Sequence, residues 1–510
     1  MYPDLTHRQR LVIFGGLMSG MLLAALDQTI VSTALPRITG DLGGLEHISW
    51  VIAAYLVAST VGMPLYGKLG DLYGRKLLFQ ISIVVFLLGS VLAGFSQSMV
   101  QLIAFRAVQG LGGGGLMVLA MAIIAETVPP REQGRYQGYF GAAFGVASIA
   151  GPLIGGFITD NLSWRWVFFV NVPVGLIALV VITSVIPKGA RHERPEIDVR
   201  GAALMTAGVT MLVLLTTWGG NQYDWTSPVI LGLAVAIIAT VAAFIHVELR
   251  VAEPVIPIRL FRVKAFAVST SVSFILGVAM FGTLGFLPLF LQVVTGSSAT
   301  RSGLALFPMM GGVLVASIVS GNLISRTGRY KVFPVVGMGI AVVAMGLLST
   351  IGADTHRAMV SAFMFLLGTG IGLTMQVMIL ATQNAVPTSE LGSATAAVTF
   401  FREIGGSIGI ALFGAVFTSG LTRRLGSGGT PHGGLSLSLI HKLPQAQQTK
   451  VIVAIADSIG HIFVFAAPVM FAAFVITWFI REVPLKQGDH GVLEHGATVE
   501  VVPEMAEASS

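Results

Sequence analysis

Four ionisable residues stand where the surrounding sequence is apolar. Asp27 lies in LLAALDQTIVSTALP (22–36), Arg106 in LIAFRAVQGLGGG (102–114), and Arg402 and Glu403 in an apolar stretch over 392–418. No charged residue within its own run can neutralise Asp27, and a bare carboxylate at membrane depth is costly unless a partner offsets it. A carboxylate beside a cation, with exposure that alternates, can load and release a proton. At about 1.5 Å of rise per residue, Asp27 and Arg106 reach similar depths in their helices and can pair across a bundle. Arg402 and Glu403 are adjacent, so in a helix they point about 100° apart and need not pair with each other.

Other motifs exclude chemistry. GMPLYGKL (62–69) approaches a phosphate-binding loop, but Leu69 stands where Ser or Thr would hold magnesium. It also closes an apolar span instead of joining a strand to a helix, so no nucleotide site is expected. Energy must then come from an ion or solute gradient. GGSIG (405–409) fits a nucleophile-serine pattern but falls inside a predicted helix, where close helix packing explains it better. His461, the base that could serve that serine, reads as a structural hydrogen-bonder, and no enzyme is expected. The chain has no cysteine, which removes disulfides and thiolate metal sites, and neither a metal nor a cofactor is expected.

The elements that must position these residues are membrane helices. The chain of 510 residues is 54% hydrophobic and 11% charged, with mean hydropathy +0.83. Apolar runs near the ~20 residues needed to cross a bilayer recur along it. Fourteen spans are predicted, from 11–36 to 458–480, with the pair 199–219 and 228–248 the weakest in pattern. The N-terminal span follows a basic segment, but it is too long for a signal peptide and reads as a retained first helix. Twenty of the 30 Lys and Arg fall on the side where the chain starts. That bias predicts a multi-pass protein of the cell membrane with both termini cytoplasmic, and it explains the net charge of +6 without nucleic acid. A polar, Gly-rich loop is predicted over 419–457 on the outside, and a disordered cytoplasmic tail over 487–510.

The chain also repeats itself. In GKLGDLYGRK (67–76) and GNLISRTGRY (321–330), Gly67, Leu69, Gly74 and Arg75 match Gly321, Leu323, Gly328 and Arg329. The same offset aligns Gly151 with Gly405. Six-helix halves are therefore predicted at 1–186 and 266–486, with two linker helices inserted over 187–265. Internal repeats mark secondary transporters, with a binding site where the halves meet.

The order of LDQTIVSTALP, GKLGDLYGRK, LIAFRAVQGLGGG, GVASIAGPLIGG (145–156) and WRWVFFVNVPVG (164–175) resembles the major facilitator superfamily. With LPLFLQVVTGSSATRSGLALFPMMGG (287–312) and GIGLTMQVMILATQNAVP (370–387), the whole is similar to the fourteen-helix drug:proton antiporters of the EmrB/QacA type, over about residues 10–485. The resemblance implies an all-α major-facilitator fold of two six-helix bundles plus two inserted helices. It also implies export of small amphipathic or hydrophobic substrates in exchange for protons, across the lipid bilayer. Export of one endogenous molecule, such as a lipid or secondary metabolite, is the alternative.

Specific residues follow. Gly67 and Gly74 permit a tight turn, while Asp71, Arg75 and Glu126 can pair with one another or with helix ends; the resemblance implies a latch that holds the halves together when they face outward. Ser325 replaces Asp71 in the second copy, so any latch is asymmetric. Gly151 and Pro152 lie in the segment that the resemblance identifies as the antiporter motif. Asp27, Arg106 and Glu403 are the candidates for proton coupling. Phe286, Phe290, Met375, Gln376, Met378 and Phe401, with Glu403, are the candidates for the substrate cavity, because Met and aromatic surfaces repack around varied ligands.

Overall fold

The computed structural model describes residues 7–43, 47–185, 197–220, 222–295, 306–425 and 444–485. Fourteen long helices run through them: α1 (His7–Leu42), α2 (Ile48–Tyr73), α3 (Arg75–Gly94), α4 (Met99–Thr127), α5 (Pro130–Asn161), α6 (Trp166–Val185) and α7 (Val199–Trp218), then α8 (Pro228–Glu248), α9 (Lys264–Thr295), α10 (Phe307–Thr327), α11 (Val332–Leu348), α12 (Arg357–Ala385), α13 (Leu391–Leu425) and α14 (Gln445–Thr477). Thirteen are long and apolar enough to cross a membrane, and α11 is a shorter apolar helix of 17 residues. Helices suit these sequences because each satisfies its backbone hydrogen bonds internally, as a bilayer demands.

Local chemistry sets the ends. Gly74, with φ 94°, is the single residue between α2 and α3, a left-handed turn that favours glycine. The Ser98, Asp198 and Ser227 side chains accept from the Gln101, Gly201 and Ile230 N–H groups and cap α4, α7 and α8.

The loop predicted over 419–457 is shorter in the structure, because α13 continues to Leu425 and α14 begins at Gln445. Hydropathy ends both spans where charged residues appear, yet both helices run on past them. Arg424 on α13 lies 3.7 Å from Asp457 and 3.3 Å from Ser458 Oγ on α14. Residues 426–443 and the tail predicted over 487–510 lie outside the described residues.

Apolar side chains of α1–α6 pack together, as do those of α9–α14. The inserted α7 packs against α2 and α13 at the seam, and α8 packs on α7 with Val235 and Ile238 facing outward. Across the seam α2 lies on α13 and α5 lies on α10. These contacts are copies of one another at the repeat offset: Gly67 meets Gly392, and Gly321 meets Gly138. A Cβ on Gly67 would fall 2.6 Å from the Ala396 Cβ, and one on Gly321 would fall 2.4 Å from the Gly134 carbonyl oxygen. Neither crossing admits a side chain.

Candidate functional site

Among the described residues, most Lys and Arg lie at the end of the bundle where α1 begins, the basic face. Deep in the first half, Asp27 is fully buried on α1. Its Oδ2 accepts from Arg106 Nη1 of α4 at 2.5 Å, and its Oδ1 accepts from Gln109 Nε2 at 2.8 Å and Asn171 Nδ2 at 3.1 Å. Ser90 Oγ of α3 accepts from both amides and donates to the Phe168 carbonyl. Arg106 also donates to Gln109 Oε1, and its guanidinium lies 4.2 Å from the centre of the Tyr55 ring. Both carboxylate oxygens thus have donors, the condition under which a buried ion pair is tolerated.

The predicted partners Asp27 and Arg106 do meet, but the sequence reading missed Gln109, Asn171, Ser90 and Tyr55. A signal existed for Gln109, which is three residues from Arg106 and so on the same helix face. Asn171 is the one polar side chain in the apolar stretch WVFFVNVPVG, and nothing in sequence points it at Asp27.

Tyr55 separates this cluster from a central cavity between the halves. One face of its ring carries Arg106, and it also lines the cavity. The first half contributes Met21, Gln28, Ser59, Met63, Gly113, Met117, Met121 and Phe144; the second contributes Phe281, Met375, Thr399, Arg402 and Glu403. Its internal volume is about 20 Å³, room for about one water. Five methionines close it, and their unbranched side chains can withdraw at small cost when space is needed. Glu403 Oε1 accepts from Arg402 Nη2 at 3.1 Å, so these neighbours do bond: the long arginine side chain spans the angle between them.

Of the residues expected to line a substrate path, Met375 and Glu403 do so. Gln376 is buried against Gly141 of α5, with both amide atoms lacking a hydrogen-bond partner among the described residues. Phe290 and Met378 belong instead to the apolar core of the second half. Phe286 packs on Phe417, and Phe401 on Phe261 and Phe400. These four aromatic and Met positions look alike in sequence because core and cavity use the same apolar residue types.

At the basic face, Asp71 bridges the halves. Its Oδ1 accepts from Arg75 Nη2 at 2.7 Å and from the Gly392 N–H at 2.9 Å; its Oδ2 accepts from the Ser393 N–H at 2.8 Å and Ser393 Oγ at 2.9 Å. The carboxylate therefore caps the N-terminus of α13, where a helix favours negative charge. Arg75 is held by Glu126 at 2.9 Å and donates to the Thr388 carbonyl across the seam. Gln137 of α5 donates to Gln383 of α12, and Ser325 Oγ accepts from the Arg135 N–H. Together with the glycine crossings, these bonds close the bundle on this face.

Gly151 on α5 faces α1, where an added Cβ would fall 1.9 Å from Thr29 Oγ1. Thr29 donates back to the Ala147 carbonyl at 3.1 Å, and Pro152 follows within the same helix. The small-residue face of α5 is thus fastened to α1 two residues beyond Asp27.

Known proteins share this architecture. A family model described as Major Facilitator Superfamily matches residues 17–410. An uncharacterized MFS-type transporter of Mycobacterium tuberculosis is 44% identical over 488 residues, covering 95% of this chain and 71% of the relative. Multidrug resistance protein 3 of Bacillus subtilis is 36% identical over 478 residues, covering 90% and 93%. The crystal structure of the human organic anion transporter MFSD10 matches in fold, with a TM-score of 0.61 at 13% identity over 93% of this chain and 100% of that one. The repeated halves, the seam between them and these matches agree: the chain belongs to the major facilitator superfamily and is a multi-pass membrane transporter, not an enzyme.

Proposed function

We propose that this protein exports amphipathic or hydrophobic compounds in exchange for protons by alternating access, as a fourteen-helix drug:proton antiporter. The observation that carries the reading is the methionine-lined cavity holding Glu403, one ring away from the Asp27–Arg106 cluster. Methionine and aromatic walls adapt to varied apolar bodies, and a carboxylate in the wall favours a cationic end. The name of the Bacillus subtilis relative supports the same substrate class.

The basic face is the cytoplasmic one, by the excess of Lys and Arg in its short loops. The latch of Asp71, Arg75 and Glu126 then seals the cavity from the cytoplasm, and opening it requires the α13 N-terminus to leave Asp71. Asp27 exchanges the proton, and Arg106, Gln109 and Asn171 hold the carboxylate when it is charged. Moving one charge through the membrane potential is worth about 2.3 kcal/mol per 100 mV, a drive for uphill export. The halves that rock are α1–α6 and α9–α14, with α7 and α8 riding at the seam.

The test is transport in inverted membrane vesicles with an imposed proton gradient, across cationic dyes, neutral drugs and lipids. Uptake of several unrelated compounds that collapses with the pH difference supports the reading. Uptake of a single compound would favour the endogenous-molecule alternative, and uptake indifferent to the gradient would remove proton coupling.

A further inference from the structure

The two copies of the repeat differ in how their arginines are neutralised. Arg75 pairs with Asp71 and Glu126. Its counterpart Arg329 has Ser325 and Leu380 at the corresponding positions, and among the described residues no carboxylate pairs with it. Arg329 instead lines a cleft of about 390 Å³ on the basic face, more than ten times a water's share of about 30 Å³.

The cleft crosses the seam. Arg131, from the first turn of α5, faces it from the first half; Arg329 and Gly328, from the α10–α11 turn, face it from the second. Arg131 Nη2 donates to the Arg326 carbonyl at 3.3 Å, which aims its fork across the seam without neutralising it. Glu482 also lines the cleft, but its Oε1 accepts from the Tyr330 and Lys331 N–H groups, so it serves the turn's backbone. Exposed Arg135 and Arg326 and half-buried Lys331 add positive charge around it, against exposed Glu132. Two guanidiniums with no carboxylate in ion-pair contact among the described residues face one cleft at the end of membrane-spanning helices, and they outnumber its one carboxylate, Glu482, so the cleft offers the kind of donors a phosphate accepts from.

We propose that this cleft binds a phosphate-bearing anion, which supplies in the second copy the negative charge that Asp71 and Glu126 supply in the first. Arg131 and Arg329 ride on different halves, so the anion ties them together and favours the conformer closed on this face. The ligand is the headgroup of an anionic phospholipid or a soluble phosphate. This site is independent of the transported substrate and of proton coupling.

Full-length protein in neutral detergent is titrated with short-chain phosphatidylglycerol, chain-matched phosphatidylcholine and inorganic phosphate, and the unfolding temperature is followed. Phosphatidylglycerol or inorganic phosphate raises it saturably and phosphatidylcholine does not; the anion that saturates at lower concentration identifies the source. Arg131→Gln with Arg329→Gln weakens that response roughly tenfold or more, as expected for lost charge-assisted bonds, and the double Lys variant recovers part of it. A double Gln variant that folds and responds as wild type does overturns the proposal. So does equal protection by phosphatidylcholine. If the double Gln variant does not fold, the double Lys variant decides: a response in it to phosphatidylcholine as strong as to the anions is the overturning result.

Discussion

Replacing Asp71 by Asn should open the basic face without unfolding the protein. Asp71 is 3% exposed, so its bonds escape most solvent screening. Both oxygens accept, and three of the four donors, the Gly392 and Ser393 N–H groups and Ser393 Oγ, lie across the seam. An Asn amide keeps one acceptor oxygen and turns its NH₂ toward a donor, whichever way it is rotated. At least one cross-seam bond is lost, and the remaining ones drop from a charged to a neutral acceptor. Bonds to charged groups contribute about 1.5–3 kcal/mol and neutral ones about 0.5–1.5, so the closed conformer loses roughly 2–4 kcal/mol. That shifts the closed-to-open ratio by about 30- to 700-fold. The chain has no native cysteine, so Glu132→Cys and Arg326→Cys, both at exposed positions on opposite sides of the seam, give a clean spin-label pair. The short-distance population should fall in Asp71→Asn, and transport turnover should fall with it, while the thermal unfolding profile stays near that of wild type. A closed population and turnover within about twofold of wild type would refute the latch, since a shift of less than about 0.4 kcal/mol is too small for the bonds removed.

Asp27→Asn leaves Arg106 charged at 2% exposure, so it should cost about 3–5 kcal/mol of stability, and Asp27→Asn with Arg106→Gln should recover most of it. The recovered double variant should release no proton when substrate is added in weak buffer; release equal to wild type would make Glu403 the first suspect as carrier. Glu403→Gln should weaken binding of cationic substrates roughly tenfold and spare neutral ones of similar shape. Equal losses for both would show that Glu403 does not select by charge. Gly67→Val should prevent closure without changing any charge, because its Cβ would lie 2.6 Å from that of Ala396; a wild-type distance distribution in the spin-label experiment would show that α2 and α13 need not approach so closely.

Sequence alone determined the fourteen helices, because membrane-length apolar runs permit no other backbone solution in a bilayer. It determined the repeat as well, since Gly67, Gly74 and Arg75 recur at one offset, and it paired Asp27 with Arg106 because helical rise converts residue count into depth. Helix rotation was beyond its reach. Which face of α1, α2, α4 and α12 turns inward depends on packing against helices hundreds of residues away, so Met21, Met63 and Met117 were indistinguishable from lipid-facing residues, and Phe290 and Met378 from cavity walls. The same limit hid Asn171, 144 residues from Asp27, and the partner of Asp71, a helix N-terminus 321 residues away. A backbone N–H carries no sequence signature, because every residue except proline offers one. Only the folded seam decided which of them would meet the carboxylate.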